Sequence, residues 1–235
     1  MTGQVTRRRL LRAVAALVCA IPLAVVGAAP AGAALPMIYR VRGVYDAQQV
    51  ITVTNRSWTS SYATFQAWER LADGRWRSVY GPWTARVGRN GFGSPKREGD
   101  GQSPVGSYYM TGLFGTRGLP YTRFRWKVVD RYDVWVDDSN SAYYNLPMRL
   151  PANGRWRSAE SLYQPTPYAY AGVIGYNPHR YPGQGSAIFL HVTTGSATAG
   201  CVSLTAAQIV PVLRWLDPAK KPRMIMGPES AVTYR

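Results

Sequence analysis

Beyond residue 48 the chain cannot hold one conformation for long, because Gly, Pro, Asn and Asp cut it into short segments rich in β-branched and aromatic residues. Such runs occupy 49–55, 62–70, 76–80, 83–87, 106–110, 124–129, 134–136, 187–191 and 223–227. Val, Ile, Thr, Tyr and Trp suit a pleated, half-buried surface, so these runs are predicted strands. Asp73-Gly74 supplies a hairpin-type turn between two of them. Helical periodicity is convincing only over 205–216. There Ile209, Val212, Leu213 and Leu216 share one stripe, Thr205 and Gln208 are spaced as a capping box, and Pro211 should kink the helix or cost it one hydrogen bond. The predicted fold is mainly β, with mixed sheets or a sandwich and one notable helix. Two loop-rich stretches, 88–106 and 140–170, are long for a compact domain, and long loops tend to be where substrates are handled.

The N-terminus follows a different rule. Arg7, Arg8, Arg9 and Arg12 precede an apolar run over 13–29, and Ala31-Gly-Ala33 follows it. Positive region, apolar region and small-residue cleavage site, in that order, predict an export signal over 1–33. Residues 6–12 also fit a twin-arginine signal, which leaves both export routes open. The run is near the minimum length for a membrane span and contains Pro22, so cleavage is favoured over anchoring. No later segment is long and apolar enough to cross a membrane. Residues 34–45 form a short N-terminal segment and 228–235 a C-terminal tail. Removing the four arginines takes the formal charge from +16 to +12, with arginine far ahead of lysine, so the surface attracts anions. Nucleic acid is the usual partner for such a balance. Export argues against it and for wall polymers, anionic lipids or carboxylate-rich peptides, handled by a monomer.

With the signal removed, Cys19 is lost and Cys201 is the one cysteine left. One thiol cannot close an internal disulfide, and an idle thiol in an oxidising compartment is a liability, so Cys201 is read as a nucleophile rather than a small buried hydrophobe. Val202-Ser-Leu and then the helix follow it, an arrangement expected to set the thiol at a helix N-terminus that favours thiolate. His191 ends a run whose alternation puts Ile188 and Leu190 on one face and Phe189 and His191 on the other. It lies ten residues before Cys201, across a Gly/Ser/Thr loop able to fold back, and is the candidate base and then acid. His179 falls in a turn-rich loop and reads as a surface residue. Gly200 and Cys201 would offer main-chain N–H groups to an oxyanion. No carboxylate lies near His191 in sequence, so a main-chain carbonyl, a hydroxyl from Ser196, Thr198 or Ser203, or a distant acid must orient its ring. No metal site is expected: Asp137-Asp138-Ser-Asn140 lacks the Gly and Glu of a calcium loop, and two histidines with one cysteine cannot build structural zinc. No cofactor motif is present.

Ile188-Phe-Leu-His191, Thr198-Ala-Gly-Cys201-Val-Ser-Leu and the helix ending Arg214-Trp-Leu-Asp-Pro218 resemble the YkuD-type L,D-transpeptidase catalytic domain. The likeness extends to 81–91, to Lys96-Arg-Glu-Gly-Asp-Gly-Gln-Ser-Pro-Val-Gly106, and to Val134-Trp-Val-Asp-Asp138 with Tyr143-Tyr-Asn145, a domain of 46–227. The resemblance implies two-step acyl transfer on peptidoglycan stem peptides. Cys201 would form a thioester with a tetrapeptide stem, D-alanine would leave, and an amine of a second stem would resolve the thioester. Resolution by water would make the same site an L,D-carboxypeptidase, and a vestigial cysteine would leave a wall-binding module. Where better-known members carry His before the Gly-Cys and Arg or Asn two residues after the Cys, this chain has Ala199 and Ser203. Thr198 and Ser203 are candidate substrate contacts, and the anchoring of substrate carboxylates is expected to come from elsewhere, with Arg97 and Arg180 as candidates.

Overall fold

The computed structural model describes residues 1–2 and 34–234. The export signal expected at 1–33, with Cys19, therefore lies almost wholly outside the described residues. The body of the fold begins at Leu35. After helix α1 (Met37–Arg40) come β1 (Gln49–Asn55), β2 (Tyr62–Arg70), β3 (Trp76–Arg86), β4 (Phe92–Gly93), β5 (Ser103–Pro104), β6 (Gly106–Gly115) and β7 (Trp126–Val128). They are followed by β8 (Asp133–Val136), β9 (Pro147–Arg149), β10 (Ala159–Ser161), β11 (Ala171–Ile174), β12 (Phe189–Val192) and β13 (Val202–Leu204). Helix α2 (Ala206–Trp215), a 3-10 turn (Pro218–Lys220), β14 (Arg223–Pro228) and α3 (Glu229–Val232) complete the chain.

Every strand edge must pair or be covered, and here the main sheet closes on itself. Pairing runs β11-β12-β13-β3-β2-β1-β14-β6, and β6 pairs again with β11; β7 adds to the far side of β6. The mainly β fold with one substantial helix is as expected. The closure shows why β6 outlasts its predicted end at residue 110: its first half pairs with β14 and its second half takes over pairing with β11. The two runs at 76–80 and 83–87 are one strand, β3, continuing through Gly81-Pro82. Gly81 has φ +86, and a Cβ there would stand 2.5 Å from the Phe65 carbonyl oxygen, so only glycine fits. The register shift opposite, between Phe65 and Ala67, takes up the irregularity.

The ring is filled by inward side chains, including Ile51, Val53, Phe65, Ala85, Leu190, Val202 and Leu204, together with the stripe Ile209, Val212, Leu213 and Leu216 of α2. Burying each large aliphatic side chain contributes roughly 1.5–3 kcal/mol, enough to hold α2 against the sheet although Pro211 lacks a backbone donor. Thr205 and Gln208 form the expected capping box. The small sheet β10-β8-β9 lies apart from the ring. Its strand β8 contributes Trp135, whose ring packs edge-on to Phe189 on the outward face of β12.

Candidate active site

Alternation decides what β12 and β13 present. Leu190, Val192, Val202 and Leu204 enter the core of the ring. Phe189 and Cys201 belong to a second buried cluster on the other side, with Phe114, Tyr168 and Ala187. His191 follows the parity of Phe189, and Ser203 that of Cys201. The two strands are parallel, with His191 opposite Ser203. Parallel neighbours ordinarily need a crossover of a dozen or more residues; here the small residues of 193–201 make the return, tethered where Thr198 bridges Gly88 beside the end of β3. Gly200 has φ +155, and a Cβ on it would meet the Gln102 carbonyl oxygen at 2.9 Å, which accounts for the glycine before the cysteine.

The thiol's expected place is corrected. Val202-Ser203-Leu204 pairs with β12 as strand, so Cys201 heads β13 and α2 begins only at Ala206. A helix dipole acts within its first turn and does not reach the sulfur. Cys201 is enclosed: its Sγ accepts from the Phe189 N–H and donates to the Ala187 carbonyl, each at 3.3 Å. Burial, and secondarily the nearby Glu160 carboxylate, push the thiol up to about 12, opposed by the Phe189 N–H and Lys96. The resting group is a thiol, not the thiolate that a helix terminus would favour. His191 is buried too, which lowers its pKa. Its Nδ1 lies 2.9 Å from the Val192 carbonyl oxygen. A carbonyl only accepts, so Nδ1 carries the proton and Nε2 is the basic nitrogen. A main-chain carbonyl is thus the orienting group, and Tyr168 holds the ring from the side, edge-on at 5.5 Å between centroids.

The thiol and imidazole open onto one cavity of about 410 Å³. The two loop-rich stretches supply much of its wall: Lys96, Glu98 and Gly99 from the first, Glu160, Gln164 and Tyr168 from the second. Glu98, Asp137 and Glu160 make this side acidic. Tyr144 and Ser186 donate to Glu98, and Tyr168 donates to Glu160. Burial raises the Glu160 pKa. Lys96, on the same wall, is paired with Asp100 at 2.7 Å. Asp100 stays low against the upward push of its own burial because the Arg97 N–H, Lys96 and the Gln102 N–H all donate to it. Asn145 accepts from Trp135 and from the Ala187 N–H, and so fixes the segment whose carbonyl the thiol meets.

Of the residues singled out from sequence, Cys201, His191, Gly200, Thr198 and Ser203 all line this cavity. The Gly200 N–H donates to Thr198 Oγ1 at 3.1 Å, and that hydroxyl donates to the Cys201 carbonyl at 2.6 Å, so Thr198 braces the turn that carries Cys201. Ser103, not anticipated, braces it from behind by donating to the Gly200 carbonyl at 2.7 Å. The Ser203 hydroxyl has no hydrogen-bond partner among the described residues. Arg97 and Arg180 do not line the cavity. Arg97 lines a separate one with Tyr108 and Tyr176, and Arg180 donates to the Ala142 carbonyl. His179 is exposed and packs near Tyr181. Tyr168 and Glu160 escaped sequence reasoning, the only signal being the length of the loop that carries them. Among the described residues no group of His, Cys, Asp and Glu is disposed to hold a metal ion, and no helix is long and apolar enough to cross a membrane.

A thiol at the head of β13 and an imidazole on the parallel neighbour β12 thus face one walled cavity. Residues 69–225 match the model of the YkuD family, the L,D-transpeptidase catalytic domain, and the chain belongs to that family. No curated protein and no solved structure matches it.

Proposed function

We propose that this protein is an exported L,D-transpeptidase of the cell wall. Cys201 takes the acyl group of a peptidoglycan tetrapeptide stem, and an amine of a second stem receives it. The observation that carries the reading is the shared cavity of Cys201 and His191, with Nδ1 engaged by the Val192 carbonyl and Nε2 left as base. In acylation the Cys201 proton passes to Nε2 as sulfur bonds to the carbonyl carbon before D-alanine. The carbon–nitrogen bond then breaks, and the imidazolium protonates the departing amine. In the second half the acceptor amine bonds to the same carbon, its proton goes to His191, and the thiol is regenerated. The developing oxyanion would draw on the Cys201 N–H, and on the Gly200 N–H in competition with Thr198.

Both reacting groups rest uncharged near neutrality, so proton transfer accompanies attack instead of preceding it. The acidic wall suits an ammonium-bearing stem or acceptor. The high positive charge of the rest of the chain suits an anionic wall. The test is labelling of Cys201 by a thiol probe or a carbapenem at neutral pH, followed by product analysis with and without an amine acceptor. Labelling with cross-linked product supports the transferase. Hydrolysed product alone supports an L,D-carboxypeptidase, and an inert Cys201 with wall binding retained supports a binding module.

A further inference from the structure

The register of the ring places one row of side chains across the outward face. Tyr62 on β2 is opposite Arg86 on β3, Arg86 is opposite Ser203 on β13, and Ser203 is opposite His191 on β12. Ala63, Ala85, Val87, Leu190, Val202 and Leu204, the neighbours of these four along their strands, are in the core. The row therefore points outward together. The guanidinium of Arg86 lies over the Tyr62 ring at 3.7 Å. Its Nε and Nη1, both shielded from solvent, have no hydrogen-bond partner among the described residues, and neither does the hydroxyl of Ser203, which is 1% exposed and lines the cavity. Shielded donors with no acceptor are costly to a fold, and a charged pair of them more so.

Resting on the acyl-transfer reading above, we propose that Arg86 and Ser203 form the subsite for the carboxylate of the departing C-terminal residue of the stem. Distance along the row supports this. His191 must stand at the departing amine to protonate it, and in an α-amino acid the carboxylate lies two bonds beyond that nitrogen. Neighbouring strands are about 4.8 Å apart, so Ser203 stands roughly 5 Å and Arg86 roughly 10 Å beyond His191 along the row. Charge favours the same end. Glu98, Asp137 and Glu160 wall the cavity from outside the row, and Lys96 is occupied by Asp100. A carboxylate is repelled from that wall and drawn to the unengaged fork, which grips it in a way a lysine ammonium cannot. Tyr62 stacks on the guanidinium plane and leaves its edges for the ligand. Arg86, like Arg97 and Arg180, is outside the lining of the cavity, and it differs from them in standing in register beside Ser203, which does line it.

The test compares a tetrapeptide stem ending in a free carboxylate with the same peptide ending in a carboxamide. The parent enzyme should show a Michaelis constant roughly ten- to a hundredfold lower for the carboxylate, the range of charge-assisted hydrogen bonds, and should keep that preference in high salt, where general steering fades. Arg86→Gln should abolish the preference by raising the Michaelis constant for the carboxylate to that for the carboxamide, and Arg86→Lys should restore only part of it. An unaltered Cys201 alkylation rate in the variants verifies that the pocket is intact. Equal Michaelis constants for the two peptides in the parent overturn the subsite while leaving acyl transfer standing, and need no variant to fold. A preference that survives Arg86→Gln overturns it likewise. Failure of the parent to turn over either peptide overturns both readings.

Discussion

Strands β12 and β13 show two faces that are buried alike and behave unlike. Inward, Leu190, Val192, Val202 and Leu204 pack in the apolar core of the ring. Outward, His191, Cys201 and Ser203 are no more than 9% exposed, yet they hold an imidazole, a thiol and a hydroxyl away from water. Burial on the first face stabilises the fold. On the second it favours a protonated thiol and a neutral imidazole, the pair to which the proposed function assigns the proton transfer. Stability and chemistry are separated by one residue of strand period.

The largest effect that sharpens this contrast is Cys201→Ala, which should abolish D-alanine release while shifting the midpoint of thermal unfolding by only a few degrees, since about 1 kcal/mol is at stake. A variant that keeps its activity, or one that cannot fold, would merge the two faces. His191→Gln comes next, with a loss of about two decades or more in acylation measured by single-turnover kinetics. Its pH dependence has a definite sign. Burial holds the imidazole below its ordinary 6.5, so it stays a competent base as pH falls through 6.5, and the acid limb of the parent's rate should lie below that value. Alkylation of Cys201 should keep rising with pH toward about 12.

On the inward face, Leu204→Ala should destabilise the fold by about 2–5 kcal/mol in denaturant titration. The kcat of the protein that remains folded should be nearly that of the parent. The smallest effect is expected from Glu160→Gln. It removes a carboxylate that helps to raise the thiol, so alkylation measured near pH 9 should quicken by about three- to tenfold. A slower reaction would show that Glu160 acts by holding Tyr168 in place instead.

The placement of these side chains was legible because it follows local rules. Alternation put His191 and Leu190 on opposite faces, and the capping box at Thr205 and Gln208 marked α2 to the residue. The walls were not legible, because they depend on closure of the ring. Nothing near Arg86 in sequence says that it stands beside Ser203, more than a hundred residues later, and nothing near Glu160 brings it to Tyr168 and the thiol. The same blindness set Cys201 at a helix terminus: pairing with β12 makes Val202-Ser203-Leu204 strand, and a partner strand cannot be read from those three residues. Arg97 and Arg180 were chosen for charge in a loop, without knowledge of which loops face the cavity.

Mass spectrometry of the enzyme mixed with a tetrapeptide stem and no acceptor amine tests the central claim most directly. The account predicts a covalent adduct on the peptide containing Cys201, equal in mass to the stem less D-alanine with the thiol hydrogen replaced. It should be released by an added amine and be absent in Cys201→Ala. D-alanine release without any adduct in the parent, or an adduct that persists in Cys201→Ala, would contradict it.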